Sequence, residues 1–403
     1  MKDPIYHIDK KLRNKIERLK KDNTKNSRLI LEFINYGKAN GLSDKRLMRY
    51  IAGLSLLNKL LGKDFDKATR KDLERVIAKI ESSDYSPWSI VSFKSIVRGF
   101  YKWLLGDGEE YPELVRWIKP KLKQHQRKLP ENLLQPEDIK LLIENAFNDR
   151  DRAFVAFAYE SGARISEILS LKIEHIRFDD LGAIVTIPTG KTGARRIRIV
   201  ESVPFLKRWL NKHPLKNEPK APIFCKLSSP KGPLDYASVR ALLKRLKRRA
   251  GLKKRIHPHL FRHSRATYLA KYLSEQQLKV YLGWANDSRM ASVYVHLSGK
   301  DTDDAILKLY GKVKESKKED KAPLAPKVCP RCGKENACTD AFCVKCGAPL
   351  TLELALKEQE NIRLFIRAVI KTMLEKGEIK EAIKEMLKKE LAGGEFGQKK
   401  NKV

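Results

Sequence analysis

The sequence has few cysteines, no long apolar run and no phosphate-binding loop. Its 403 residues include only six cysteines, too few to build a disulfide scaffold in a chain of this length. No stretch approaches eighteen consecutive apolar residues, and the basic beginning of the chain lacks an apolar signal region, so we expect a cytoplasmic protein with no membrane span. The motif Gly-x-x-x-x-Gly-Lys-Ser/Thr is absent, which gives no support for an ATP-driven reaction.

Acidic residues are scarce relative to basic ones. The chain has 84 Lys plus Arg against 49 Asp plus Glu, a formal net charge of +35. Such an excess makes a compact domain repel itself unless a polyanion neutralises it. Nucleic acid is the obvious polyanion, so the composition predicts double-stranded DNA or another nucleic acid as the partner.

The hydrophobic pattern divides the chain into helical and mixed regions. The predicted fold class is mainly α with a small β-sheet (α+β), since helical spacing dominates and only the stretches 183–187 and 196–200 read as strands. The predicted segments are a basic arm at 1–26 with no assigned chemistry, an α-helical domain at 27–110, a linker at 111–131, a second domain at 132–312, a linker at 313–328, a cysteine-containing segment at 329–351, and an amphipathic helical tail at 352–403.

The tail carries a narrow apolar stripe on an otherwise charged helix, in which Ile362, Phe365, Ile366 and Val369 recur at helical spacing. We expect this stripe to pack against the chain's own domain. Self-association is the alternative.

Two segments early in the second domain carry cations suited to a phosphodiester. Arg164 follows a helix break at Gly162, and a guanidinium there can fork onto two phosphate oxygens. A surface salt bridge with Glu167 is the alternative. Lys191 lies in a Pro-Thr-Gly-Lys-Thr-Gly turn between the two predicted strands, where flanking glycines permit close approach to a groove. A solvated turn lysine is the alternative.

Two later segments add donors and a phenol. His259 and Arg262 are three residues apart in His-Pro-His-Leu-Phe-Arg-His, a spacing that places both on one face of a helix. Trp284 follows a Gly, and Tyr294 lies ten residues later. A lone tyrosine on a helix is usually a packing residue. Tyr294 is a candidate site residue only because of its distance from Trp284 and because of the three preceding segments.

Together these four segments resemble the tyrosine recombinase family, and the resemblance covers about residues 27–300. Within the family, the chain resembles an integrase of archaeal type that carries a C-terminal zinc ribbon. The resemblance implies a four-helix, SAM-like core-binding domain followed by the family's catalytic domain. It also implies DNA cleavage and rejoining through a 3′-phosphotyrosine, a homotetramer on two DNA sites, and no metal or ATP for catalysis. The implied roles are nucleophile for Tyr294, general acid at the departing 5′ oxygen for Lys191, and phosphate activation for Arg164, His259, Arg262 and Trp284.

At position 284 the family pattern has His or Trp. Trp284 can donate a hydrogen bond but cannot shuttle a proton, which removes one acid-base group from the site. The cysteine-containing segment at 329–351 and the N-terminal arm favour a mobile-element integrase. The alternatives are a Xer-like dimer resolvase, a type IB topoisomerase-like relaxing enzyme, and a catalytically silent DNA-binding protein.

A basic helix at 235–250 is the predicted DNA contact. Its apolar residues share one face, whereas its basic residues cover much of the rest and continue toward His259. The candidate DNA-binding residues are Arg240, Lys244, Arg245, Lys247, Arg248, Lys253, Lys254 and Arg255.

Four cysteines form two Cys-x-x-Cys pairs of the spacing that holds one tetrahedral zinc: Cys329, Cys332, Cys343 and Cys346. Four thiolates close the coordination sphere, so the predicted zinc is structural. Cys338 lies between the pairs and is interpreted as a spectator. Cys225 is interpreted as an ordinary buried thiol.

Overall fold

The computed structural model describes residues 5–106, 110–121, 133–188, 193–288, 290–295 and 324–375, together with 307, 310, 322, 383, 385, 386, 388 and 389. The chain divides into two compact units. One contains Met1–Leu134, Gly162–Glu174 and Pro214–Thr267, and the other contains Gln135–Ser161, His175–His213 and Tyr268–Val403. Among the described residues, no helix has the length and hydropathy needed to cross a membrane.

The first unit begins with six helices around one apolar core, in which Phe65, Phe100 and Tyr101 are fully buried. Local signals fix the helix starts: Thr69 forms a capping box with Asp72, and Ser86 caps a helix that opens with Pro87. The helices are α1 (Ile8–Asp22), α2 (Lys25–Ala39), α3 (Asp44–Leu61), α4 (Arg70–Glu81), α5 (Pro87–Leu105) and α6 (Glu113–Arg116).

The helical core extends beyond both predicted boundaries, at residues 27 and 110. Leu12 and Leu19 of α1 are buried in it, so most of the predicted basic arm is a structural helix. Val115 and Ile118 are buried in the same core, so the beginning of the predicted linker also belongs to it. Both segments pack through a few apolar side chains among many charged ones, and this sparse pattern is why the predicted boundaries fell short.

The rest of the first unit holds α9 (Ile165–Ser170), a two-stranded sheet of β4 (Cys225–Lys226) and β5 (Ser229–Pro233), α11 (Tyr236–Arg249) and most of α12 (Pro258–Leu269). The segment before α1 contacts the start of α11. The Tyr236 N–H donates to the Ile5 oxygen at 2.9 Å, and the rings of Tyr6 and Tyr236 lie 5.2 Å apart. Lys45 of α3 lies over the Tyr6 ring, so this short segment connects the six-helix core to α11.

The second unit is built on a three-stranded antiparallel sheet of order β1-β2-β3. The register pairs Val185 with Ile176 on one side and with Ile197 on the other. The strands are β1 (Ile176–Asp179), β2 (Gly182–Ile187) and β3 (Arg195–Ile199), which confirms the two predicted strands and adds a third. The helices are α7 (Pro136–Glu144), α8 (Asp149–Ser161), α10 (Val203–Asn211), α13 (Glu275–Leu282) and α14 (Met290–Val295).

A buried carboxylate fixes the start of α10. Glu160 is 3% exposed, and its oxygens accept hydrogen bonds from the N–H groups of Val200, Glu201 and Ser202. These N–H groups precede the first turn of α10, where donors lack helical partners and negative charge is favoured. Glu160 therefore ties the end of α8 to the segment between β3 and α10.

The second unit ends with a small sheet of β6 (Lys327–Val328) and β7 (Glu335–Asn336) and a long helix, α15 (Leu352–Glu375). None of the described residues of α15 is buried. The apolar stripe is therefore exposed, with Phe365 at 68% and Ile366 at 49%. The structure does not show the packing of this stripe on the chain's own domain that the sequence led us to expect.

Candidate active site

Arg164 is positioned by a break between two helices. Helix α8 ends at Ser161, Gly162 takes the left-handed conformation with φ 54°, and Arg164 is the N-cap of α9. The Arg164 N–H donates to one oxygen of Glu167 at 2.9 Å, and its Nη1 donates to the other at 2.8 Å. Glu167 is buried, so this paired carboxylate holds both the main chain and the guanidinium of Arg164. The salt bridge considered from the sequence is thus present, and it orients a side chain that is still 26% exposed.

Arg262 connects α12 to this break. Its side chain is 3% exposed, and its Nη1 donates to the main-chain oxygen of Gly162 at 3.0 Å. A guanidinium carries five donors in one plane, so a bond to a fixed carbonyl sets the orientation of the whole group. Arg164 and Arg262 are 98 positions apart in the sequence (262 − 164). The structure brings both of these predicted site residues to one helix break.

His259 lies one turn before Arg262 on α12. Partial burial and the charges of Arg262, His257 and Arg164 lower the pKa of His259 below its ordinary value. This shift favours the neutral imidazole, which carries one N–H donor. His263 packs edge-on against His259 with ring centres 4.4 Å apart, and burial lowers the pKa of His263 to about 4.

Lys191 lies outside the described residues, in the turn between β2 and β3. The last described pair of that hairpin is Ile187 with Arg195.

Trp284 and Tyr294 form a second group. Their rings are nearly parallel, at 9°, with centres 5.5 Å apart. Tyr294 is only 2% exposed on α14, and Trp284 is partly buried after the end of α13. The two residues that the sequence linked only by their spacing are therefore in direct contact.

Two residues of this region were not singled out from the sequence. The Nε of Arg195 donates to the main-chain oxygen of Tyr281 at 3.0 Å. The Tyr281 hydroxyl lies 3.2 Å from the main-chain oxygen of Glu160. The apolar pattern around Leu278 and Leu282 predicts that Tyr281 is a packing residue of the core, whereas its hydroxyl makes hydrogen bonds. The only sequence signal for Arg195 is its place directly after the glycine-containing turn.

The basic face of α11 borders a groove. Val239, Leu242, Leu243 and Leu246 are buried, which leaves the basic side chains on the other face. A groove of about 460 Å³ is lined by Arg240, Lys244, Lys247 and Arg255, together with Ala237, Ala241 and Ile256. Among the remaining candidates, Arg245, Arg248 and Lys253 are exposed. Lys254 instead donates to the Leu133 oxygen at 3.1 Å and so also has a structural contact.

The four predicted metal ligands come together. The sulfur atoms of Cys329, Cys332, Cys343 and Cys346 all lie within 4.8 Å of one another. Two of the pairs are 3.5 and 3.6 Å apart, close to the ~3.8 Å that a tetrahedron of Zn–S bonds of about 2.3 Å requires. This donor set of four thiols in a closed cluster fits a structural zinc.

The two Cys-x-x-Cys turns are built alike. The N–H of Gly333 donates to the Cys329 oxygen and that of Gly347 to the Cys343 oxygen, each at 2.9 Å. Both glycines have a left-handed φ, 67° and 71°. Asn336, fully buried, joins the two turns by accepting the Val344 N–H at 2.9 Å.

The cysteine module packs against α10 within the second unit. Arg208 Nη2 lies 2.6 Å from Asp340 Oδ2, and the same oxygen accepts the Ala337 N–H at 2.9 Å. Cys338 is buried and lies outside the cluster of four. Burial raises the pKa of the Cys338 thiol to about 11, which is consistent with a spectator.

Comparisons with known proteins agree with this geometry. Residues 132–300 match the phage integrase family. A tyrosine recombinase of Thermosipho africanus is 29% identical over 282 residues, covering 66% of this chain and 94% of that protein. Tyrosine recombinase XerA of Pyrococcus furiosus is 29% identical over 290 residues, covering 71% and 95%.

Solved structures show the same fold. The XerH site-specific recombinase bound to palindromic difH substrate aligns with a TM-score of 0.54 at 19% identity, over 77% of this chain and 98% of that one. A lambda integrase dimer bound to a COC' core site aligns with a TM-score of 0.54 at 16% identity, over 66% and 76%. The chain is therefore similar to tyrosine recombinases over about two thirds of its length.

Proposed function

We propose that this chain cleaves and rejoins DNA at specific sites through a 3′-phosphotyrosine on Tyr294. The observation that carries the proposal is the bond from Arg262 to the Gly162 oxygen, because it joins two of the predicted segments at one place. Arg164 and Arg262 supply fixed positive charge there, and His259 supplies a neutral donor. A phosphodiester under attack gains negative charge on its oxygens, which such preorganised donors stabilise.

In the proposed step the Tyr294 oxygen attacks the phosphorus and the bond to the 5′ oxygen breaks. The phenolic proton passes to solvent as the oxygen attacks, and Lys191 gives a proton to the departing 5′ oxygen. The product is a 3′-phosphotyrosine and a free 5′ hydroxyl. A 5′ hydroxyl of another strand then reverses the step, so the proposed reaction needs neither metal nor ATP.

The stacking of the Tyr294 ring on Trp284 affects the first step of the proposed reaction. Tyr294 is 2% exposed, so its oxygen has to be uncovered before it reaches a DNA phosphate. Trp284 has the family's role of a hydrogen-bond donor to the phosphate in this proposal, and its ring covers Tyr294 beforehand. We therefore expect DNA binding to precede release of the Tyr294 ring.

The proposed substrate is double-stranded DNA, bound along the α11 groove through phosphate contacts. Relatives support this assignment, since the lambda integrase structures are of a dimer on a core site and of a tetramer on a Holliday junction. By the same likeness, we propose a homotetramer acting on two DNA sites. A cytoplasmic location follows from the same function.

Structural zinc held by the four cysteines completes the proposal. Zinc would fix the two Cys-x-x-Cys turns and thereby the surface that packs on α10, with no part in the cleavage step. We propose a mobile-element integrase. Resolution of chromosome dimers is the second candidate, and relatives named XerA and XerC favour it.

The test mixes the protein with supercoiled plasmid DNA in EDTA and no ATP, then adds detergent and recovers covalent protein–DNA adducts. Wild type is expected to form adducts at 3′ ends and Tyr294→Phe to form none. Tyr272→Phe is the matched control, because Tyr272 is 60% exposed and lies outside the proposed site. Adducts from Tyr294→Phe at the wild-type level would contradict the assignment of the nucleophile.

A further inference from the structure

Arg195 holds the last turn of α13 against the start of β3. Its Nε donates to the main-chain oxygen of Tyr281 at 3.0 Å. The last carbonyls of a helix lack partners within the helix, and the negative end of the helix dipole attracts a cation. A guanidinium at this position satisfies one of these carbonyls and matches the local charge.

The contact is close enough to require glycine at the helix end. Gly283 is the C-cap of α13 with φ 63°, and a Cβ built on it would lie 2.7 Å from Nη1 of Arg195. A side chain there would be strained by its own backbone and would also displace the guanidinium. Arg195 and Gly283 therefore fit each other as a pair.

A second bond fixes the same turn. The hydroxyl of Tyr281 donates to the main-chain oxygen of Glu160 at 3.2 Å. It also lies 3.4 Å from the main-chain oxygen of Arg198 in β3. The turn is thus tied to β3 at Arg195 and at Arg198. The N–H of Trp284 donates to the Lys279 oxygen at 2.9 Å, so the main chain of Trp284 is part of the same fixed turn.

We propose that Arg195 is a positioning residue for the nucleophile, acting through the end of α13, Trp284 and the ring stacked on it. Arg195 itself touches no reacting atom in this proposal, which rests on Tyr294 being the nucleophile. The contacts run from Arg195 to the Tyr281 oxygen, from that turn to Trp284, and from the indole to the Tyr294 ring.

The test compares Arg195→Met with Arg196→Met. Arg196 is the next residue on the same strand and is exposed, so its replacement removes an equal charge. Cleavage is measured in a single turnover on a duplex containing the site mapped from wild-type adducts, and DNA affinity is measured separately. Arg195→Met is expected to cleave about 100-fold more slowly, the loss typical of a misplacement near 1 Å, while both variants bind DNA equally well.

A duplex with sulfur in place of the departing 5′ oxygen separates positioning of the nucleophile from protonation of the leaving group. Sulfur leaves without a proton, so this duplex is expected to restore Lys191→Ala but not Arg195→Met. Full restoration of Arg195→Met, or cleavage equal to that of Arg196→Met, would overturn the inference. Gly283→Ala displaces the same guanidinium from the other side and is expected to act non-additively with Arg195→Met, which keeps the test valid if one variant folds poorly.

The two proposals can fail separately. If Tyr294→Phe still forms adducts, the proposed nucleophile is wrong whatever Arg195 does. If Tyr294→Phe forms none and Arg195→Met cleaves like Arg196→Met, only the positioning role of Arg195 is wrong.

Discussion

The Nη1 of Arg262 lies 3.0 Å from the main-chain oxygen of Gly162, at the break between α8 and α9. Arg164, two residues after that glycine, is held by the buried carboxylate of Glu167. Two guanidiniums are in this way fixed at one turn of the chain, each by a partner that cannot move freely. Fixed cations of this kind stabilise developing charge more than mobile surface lysines, because no reorganisation is needed during the reaction.

The geometry of Arg262 predicts that a positive charge at this position is not sufficient for cleavage at the wild-type rate. Arg262→Lys keeps the positive charge but loses the planar fork, so one ammonium cannot hold the Gly162 oxygen and a phosphate in the same orientation. We expect the cleavage rate to fall about 10²- to 10³-fold, the cost of losing one preorganised donor. Single-turnover cleavage measures this, with Arg177→Lys, a change at the exposed arginine of β1, as control. A wild-type rate for Arg262→Lys would show that the fork is unnecessary.

Stability is expected to fall in acid through His263. Burial lowers the pKa of His263 from 6.5 to about 4, so the unfolded chain binds this proton first as the pH falls. The contribution of His263 is fully present above pH 6.5 and is lost between pH 6.5 and 4. After a discount for its partial exposure we expect this loss to be about 2 kcal/mol.

Thermal unfolding measured between pH 7.5 and 4.5 checks the role of His263. The His263→Gln variant has no imidazole to protonate, so its melting temperature is expected to fall less steeply with acid than that of wild type. Parallel curves for the two proteins would mean that other groups cause the acid sensitivity.

Zinc content is expected to distinguish the two kinds of cysteine in the module. Cys332→Ser removes one of the four clustered sulfurs and is expected to abolish tight binding, whereas Cys338→Ser is expected to keep about one zinc per chain. Elemental analysis after gel filtration in EDTA gives the stoichiometry. Loss of zinc from Cys338→Ser and its retention by Cys332→Ser would reverse the assignment of ligands.

Phosphate contacts along α11 are expected to appear as salt dependence. Lys244→Gln and Lys247→Gln each remove one cation from the groove, so each is expected to lower the slope of log affinity against log salt by about 1. Lys216→Gln, an exposed lysine outside the groove, is the matched control. Fluorescence anisotropy at several salt concentrations measures the slopes. Equal slopes for all four proteins would place the DNA elsewhere.

Local patterns predicted the parts of the structure that short-range rules govern. The cluster of four cysteines follows from spacing alone, and the strands beginning near Ala183 and Arg196 follow from alternation and a glycine turn. The choice of Trp284 and Tyr294 as site residues required the family resemblance, and their ring contact was not predicted, because a spacing of ten residues does not fix one. What the resemblance supplied was the choice of one tyrosine among several.

Long-range contacts could not be predicted in the same way. The bond from Arg195 to Tyr281 joins residues 86 positions apart, and neither residue stands out in its own segment. The start of the helical core was missed because Leu12 and Leu19 form a stripe only a few residues wide in a strongly charged helix. In both cases the deciding energy comes from tertiary packing, which a local pattern does not contain.

The assignment of Tyr294 as nucleophile is tested most directly by finding the amino acid that carries the DNA. Adducts formed on plasmid DNA are digested with nuclease and trypsin, and the nucleotide-bearing peptide is identified by mass spectrometry. Trypsin cuts after Arg289 and Lys300, and Tyr294 is the only tyrosine in residues 290–300. We predict a 3′-phosphonucleotide on that peptide. The same mass on the peptide containing Tyr281, or on those containing Tyr268 or Tyr272, would contradict the proposed mechanism.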